Sequence, residues 1–131
     1  MKNILQTLVF SLVILTANSQ QTYVPDDNFE QALINLGYDN VLDDSVITAN
    51  ISGISSLVIS GLNIADLTGV EAMVSLTNLE CDDNNLTSLD VSSNTLLNWF
   101  MCMENQLISI DVSTLSVLGD FDCSYNLLTT L

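Results

Sequence analysis

The chain has 131 residues, with 16 Asp and Glu, one Lys or Arg and no His, and its formal net charge is −15. The one basic residue is Lys2, so residues 20–131 carry every acidic side chain and no basic one. Nothing in them neutralises phosphate, which excludes nucleic acid and anionic membrane surfaces as partners. The charge suits cationic partners, divalent ions or a salty medium, and equally a device for solubility. The length predicts one modest domain.

The first 19 residues are typical of a secretory signal peptide. Lys2 precedes the apolar run "ILQTLVFSLVILTA", and "ANS" then offers small residues for cleavage after Ser19. The alternative is a membrane anchor, but the run is short and interrupted by polar residues such as Gln6 and Ser11. We therefore expect export to the medium or the cell surface, without membrane insertion after cleavage.

Residues 20–56 predict an N-terminal cap that contains one amphipathic helix at about 27–36. Phe29, Leu33 and Leu36 fall on one helix face. Asp27 and Glu30 fit a capping box at the start, and the glycine that follows Leu36 is a natural stop. Such a helix can cover the open face of a first repeat.

Residues 57–131 contain a repeat of 21–22 residues. Three similar stretches begin at Leu76, Leu97 and Leu118, at intervals of 21 residues. The matched positions are Leu79, Phe100 and Phe121; Cys81, Cys102 and Cys123; Asn84, Asn105 and Asn126; Leu86, Leu107 and Leu128; and Leu89, Ile110 and Leu131. An earlier, weaker copy starts near Leu57 and has Leu62 in place of the asparagine. A fixed period of this kind indicates a solenoid.

The template L-x-x-L-x-C-x-x-N-x-L resembles the leucine-rich repeat, with cysteine in an aliphatic position. The resemblance implies an α/β solenoid, a horseshoe of about four rungs with short parallel strands and an N-terminal helical cap. In such a coil we expect the cysteines to form a column of buried thiols and the asparagines to bond the turning backbone. A disulfide between rungs is geometrically awkward, and zinc ligands usually converge from short C-x-x-C loops.

The segment "YVPDDNFEQALINLGYDN", followed by "LDVSSNT" and C-x-x-N repeats, resembles the start of secreted, internalin-like leucine-rich-repeat proteins of Bacteroidota-type bacteria. The resemblance covers residues 22–131. It implies that the repeats continue and that a C-terminal signal often directs export to the cell surface. This chain stops at Leu131 without a visible polar C-terminal cap, so we expect a truncated copy of a longer protein.

Outward-facing strand residues predict a concave binding face. Its most unusual row holds Trp99, Met101 and Met103, residue types that are favoured at binding hot spots or adapt to varied partners. The acidic residues beside it are Glu80, Asp82, Asp120 and Asp122. We expect non-catalytic binding of a protein or peptide with a basic rim and an apolar centre, in adhesion or recognition, with a carbohydrate as the second option. The alternative is a structural spacer in which the row of Trp99, Met101 and Met103 binds no ligand.

Two further site hypotheses have weaker support. Asp82, Asp83 and Asn84, with Glu80 nearby, form an oxygen-rich turn that could hold calcium, but the chain lacks a D-x-[DN]-x-[DN]-G loop. Glu80 and Asp122 could form a glycosidase pair roughly 10 Å apart. Because residues 20–131 lack His, Lys and Arg, we expect no enzyme activity, and we predict no cofactor and no metal centre.

Overall fold

The computed structural model describes residues 19–129, so almost all of the predicted signal peptide, and Leu131, lie outside the described residues. The strands are β1 (Gln21–Tyr23), β2 (Ser45–Ile47), β3 (Ser56–Val58), β4 (Asn78–Glu80), β5 (Trp99–Met101) and β6 (Asp120–Asp122). The helices are α1 (Asp27–Asn35), α2 (Thr48–Ile51) and a single 3₁₀ turn (Val70–Ala72). Within the described range, every helix is too short or too polar to cross a bilayer.

Strands β3 to β6 form one parallel sheet in chain order. The register places Leu57 opposite Leu79, Leu79 opposite Phe100, and Phe100 opposite Phe121. This confirms the parallel strands and the register that the sequence period predicts. The total number of rungs and the missing C-terminal cap stay predictions.

The middle residue of each strand faces the core. Leu57, Leu79 and Phe100 are fully buried because alternate side chains of a strand point to opposite faces of the sheet. The rings of Phe100 and Phe121 stack with their centroids 5.3 Å apart and their planes 23° apart. The rungs thus bury one continuous apolar column, which no single rung could cover alone.

The cap is more elaborate than the sequence predicts. Strands β1 and β2 pair antiparallel, and neither strand was expected. Helix α1 buries Phe29 and Leu33, but Leu36, which was expected on the same face, is 49% exposed. Leu36 occupies the C-cap, where the chain is already leaving the helix. Gly37 follows with φ +84°, the left-handed conformation that commonly ends helices.

The N-cap of α1 is Asp26, so the predicted capping role of Asp27 is wrong. One carboxylate oxygen of Asp26 accepts hydrogen bonds from the N–H groups of Asn28 and Phe29, both at 3.0 Å. The other oxygen accepts from the N–H groups of Ala65 at 2.8 Å and Asp66 at 3.1 Å. Asp26 therefore ties the cap helix to the first turn of the repeats.

Glu30 does not complete a capping box either. Its side chain is fully buried and accepts hydrogen bonds from the N–H groups of Asp43, Asp44 and Ser45, each at 3.0 Å. A buried carboxylate is costly unless it is hydrogen-bonded, and here three backbone donors satisfy it. Glu30 fixes the loop that leads into β2.

Candidate binding surface

An asparagine ladder, formed by Asn84, Asn105 and Asn126, holds the turn that follows each strand. The Asn84 amide donates to the carbonyls of Ile59 at 2.9 Å and Cys81 at 3.0 Å, one in the preceding rung and one in its own. Its Oδ1 accepts from the N–H groups of Leu62 and Ile64. A single side chain thus satisfies backbone groups that would be costly to leave unpaired in the interior.

The same bonds recur one rung later. The Asn105 amide donates to the carbonyls of Cys81 at 3.0 Å and Cys102 at 3.2 Å. Asn126 does the same with Cys102 at 2.9 Å and Cys123 at 3.0 Å. The ladder begins at Asn84, because Leu62 occupies the equivalent position in the first rung. Each asparagine therefore joins its own rung to the one before it, which fixes how the strands lie beside one another.

The residue before each ladder position has a left-handed backbone. Asp83, Glu104 and Tyr125 have φ values of 51°, 53° and 54°, and Gly61 takes the same place in the first rung with φ 71°. This conformation costs a non-glycine residue roughly 1–2 kcal/mol. It recurs because the chain must turn sharply there for the asparagine to reach inward. This column was not predicted from the sequence, although the aligned Gly61 was its signal.

The three thiols form the expected column with one difference. Cys81 and Cys102 are fully buried, but Cys123 is only half-buried, because residues 19–129 place no rung beyond it. All three are free cysteines. Burial raises the pKa of Cys81 well above its usual value and that of Cys102 to about 12. The inner two sulfurs therefore behave as small apolar groups.

The face of the sheet that points away from the core, which we call the outer face, is the predicted binding face. It brings the predicted site residues together. Trp99 lies directly between Asn78 and Asp120 in the register, and Met101 lies between Glu80 and Asp122. Beyond the strand ends, the Met103 N–H donates to the Asp82 carboxylate at 2.9 Å, so these two residues are also neighbours.

Trp99, Met101 and Met103 form what we call the apolar stripe. Trp99 is 40% exposed, and both methionines are half-buried. The stripe runs along one strand of the sheet, with Glu80 and Asp82 on one side and Asp120 and Asp122 on the other.

The acidic side chains of this face differ in their pKa values. Partial burial raises the pKa of Asp82, and the nearby charges of Glu80 and Asp122 raise it further. Hydrogen bonds from the Ser124 side chain and backbone lower the pKa of Asp122. A glycosidase acid needs a raised pKa, so the glycosidase alternative gains no support from Asp122.

The calcium hypothesis at the turn after β4 fails for Asn84. Both ends of its amide are engaged by the backbone in the asparagine ladder, so no oxygen remains for a cation. A separate group, Asp27, Glu30 and Asp44, has carboxylate oxygens within 4.8 Å of one another. Because both oxygens of Glu30 already accept hydrogen bonds from backbone N–H groups, we do not assign this group as a metal site.

Two grooves lie away from the strands, on the return path of the rungs. The first has a volume of ≈ 380 Å³, and its lining residues are Asp66, Leu67, Thr68, Glu71, Ser88, Leu89, Asp90 and Ser93. The second has a volume of ≈ 390 Å³ and lies between the two "DVS" turns. Neither contains a residue of the predicted site. The Asp90 and Asp111 carboxylates at these turns accept hydrogen bonds from their own backbone at Ser92 and Ser113, as turn-forming residues do.

Comparison with known proteins gives four findings. No protein-family profile matches the chain. Over 73 residues the chain is 36% identical to internalin J of Listeria monocytogenes serotype 4b (strain F2365), a match that covers 56% of this chain and 8% of internalin J. The solved structure described as "Functional domain of InlJ from Listeria monocytogenes includes a cysteine ladder" matches with 31% identity and a TM-score of 0.71, covering 86% of this chain and 28% of that one.

A second solved structure, an internalin (inlF) from Listeria monocytogenes, matches with a TM-score of 0.73 and 20% identity, covering 79% of this chain and 31% of that one. At this identity the likeness concerns the fold alone. Together the matches show that this chain resembles internalins in its leucine-rich-repeat fold, and internalin J also in part of its sequence. It spans only a small part of each relative, and the assignment to Bacteroidota-type bacteria stays a prediction.

Proposed function

We propose that this chain is a non-catalytic module of a secreted or surface-exposed protein, and that it recognises a protein ligand on the outer face of its sheet. The observation that carries the proposal is the apolar stripe, which lies in register between acidic residues. The internalin-like fold supports a binding role, and the predicted signal peptide supports export.

The repeat itself does not require the stripe. The solenoid needs apolar residues only at the inward positions, and the residues that flank Trp99 in the register, Asn78 and Asp120, are polar. A spacer would therefore not need a large apolar side chain at this exposed position. Tryptophan at such a site commonly dominates binding, with a truncation cost of about 2 kcal/mol or more. No comparison supports the carbohydrate option.

A peptide-display selection tests the proposal. The exported chain is immobilised, binders are selected from a random library, and their affinities for a Trp99→Ser/Met101→Ser variant are measured. We expect selected binders to lose affinity by about tenfold or more, which corresponds to ~1.4 kcal/mol.

The matched control is Ile108→Ser, which removes a side chain that is 60% exposed and lies outside the strands. Circular dichroism checks that each variant keeps its fold. Binders that tolerate the stripe variant as well as they tolerate Ile108→Ser would contradict the proposal and favour a spacer.

A further inference from the structure

The acidic and apolar residues of the outer face alternate across the strands. In one row of the register Glu80, Met101 and Asp122 lie side by side on three neighbouring strands. Neighbouring strands are ~4.8 Å apart, so the two acidic positions of this row are roughly 10 Å apart with the methionine midway. The next row has the same apolar centre, with Trp99 between Asn78 and Asp120.

No basic side chain of residues 20–131 is available to pair with these acids, because the only Lys or Arg of the chain is Lys2. The negative charges of Glu80 and Asp122 both act on Asp82 and raise the pKa of its carboxyl. A partner that places positive charges on both sides of the apolar stripe would relieve that repulsion and bury the stripe. The electrostatics therefore select a basic partner with an apolar centre.

We infer that this partner presents a basic amphipathic α-helix whose axis crosses the strands, an inference that rests on the proposed function. Helix positions i and i+7 are about 10.5 Å apart along the axis, and positions three or four apart have Cβ atoms about 5–6 Å apart. Basic residues at i and i+7 thus reach Glu80 and Asp122, while an apolar residue at i+3 or i+4 lies over Met101. Methionine-containing surfaces adapt readily to the apolar face of a helix.

An extended segment matches the face less well. Same-face side chains of a strand recur every ~6.8 Å, a spacing that follows Trp99, Met101 and Met103 along the stripe but not the alternation across it. A strand laid along the stripe would point its other side chains away from the sheet. The acids on both sides would then be left without partners.

Binding of defined synthetic peptides tests the inference. The probe is a peptide of about 18 residues, long enough to form a helix on binding, with Lys at i and i+7 and Leu at i+3 and i+4 on one face. Trp99 is the only tryptophan of the chain, so its fluorescence reports occupation of the stripe. We expect this peptide to gain helical circular dichroism on binding, and to bind about tenfold or more tightly than a scrambled peptide of the same composition.

A second control peptide alternates Lys and Val, as a strand would. Weaker binding of the helical probe when salt rises from about 50 mM to about 300 mM is also expected, because exposed charges are screened. Equal or tighter binding of the alternating peptide, no binding of the helical probe, or binding without helix gain would each overturn the inference.

Variants of the protein separate the two proposals. Glu80→Gln/Asp122→Asn keeps side-chain size and an acceptor for the Ser124 N–H, and we expect it to weaken the helical peptide several-fold. Glu104→Gln, which removes an exposed charge outside the strands, should leave the affinity unchanged. If display-selected binders depend on Trp99 but are not helical, only the helix inference fails. If none depends on Trp99, the proposed function fails with it.

Discussion

At the residue scale, single buried asparagines form hydrogen bonds that join one rung of the solenoid to the next. Asn105 is 7% exposed, donates to three carbonyls of two rungs and accepts from the Leu86 N–H. The neighbouring Asn85 is exposed, and its side chain has one long contact with Gln106 at 3.5 Å. These two asparagines of adjacent rungs should therefore contribute very differently to stability.

Asn105→Ala should lower the free energy of unfolding by about 2–3 kcal/mol, because it leaves buried backbone groups of two rungs unpaired. Asn85→Ala should change it by less than about 0.5 kcal/mol. Urea unfolding of both variants measures the difference. Equal effects would show that the ladder bonds contribute nothing beyond an ordinary surface residue.

The burial of the cysteine column predicts the order in which its three thiols are modified. A thiol reagent at neutral pH should modify Cys123 first, since it is half-buried, while Cys81 and Cys102 react only as the chain opens. Burial and the charge of Asp122 raise the pKa of Cys123. Even this reaction should therefore be slower than that of a fully exposed cysteine thiol. In a Cys123→Ser variant the early phase should disappear. Early modification of all three thiols would contradict the buried column.

The cap helix shows, at the scale of elements, how a terminal element is attached to a repeat. Asp26 caps α1 with one oxygen and bonds the first turn of the repeats with the other. The Asn28 side chain adds a bond to the Asn63 carbonyl at 3.0 Å. The cap is therefore held to the coil by hydrogen bonds as well as by the apolar face of the helix.

Asp26→Ala should destabilise the protein by about 2 kcal/mol, at the upper end for a lost N-cap, because four N–H groups lose their acceptor. Asp27→Ala is the matched control, since Asp27 is exposed and does not cap the helix, and we expect a change below about 0.5 kcal/mol. Thermal unfolding compares the two. A larger effect at Asp27 would restore the sequence-based capping box.

At the scale of the whole molecule, the buried thiols should make the protein less stable at alkaline pH. Burial raises the pKa values of Cys81 and Cys102 above those in the unfolded chain. As pH rises past the unfolded value, the unfolded chain loses these protons first, so the free energy of unfolding falls. The decrease should approach ~1.4 kcal/mol per pH unit for each thiol.

Urea unfolding at about pH 8 and about pH 10 measures this decrease. A Cys81→Ala/Cys102→Ala variant, although less stable overall, should show a flatter dependence on pH over the same interval. The same slope in the variant and the parent chain would mean that the thiols do not cause it.

The sequence by itself determined the solenoid, the register of its strands and the alignment of the outer face. A 21-residue period fixes which side chains stack, and strand alternation then assigns Leu79 to the core and Glu80 to the surface. The position of helix α1 also followed from its local pattern of apolar residues and its terminal glycine. These features could be predicted because each depends on neighbours in sequence or on an exact repeat.

The tertiary structure alone decided the contacts that join distant segments. Asp26 rather than Asp27 caps the helix, and its side chain also bonds the first turn of the repeats, more than 35 residues later in the chain. Glu30 became buried because a loop more than ten residues later folded its N–H groups around it. The pairing of β1 with β2 likewise depends on which segments pack together. No local pattern records such choices, since their energy comes from groups far apart in the chain.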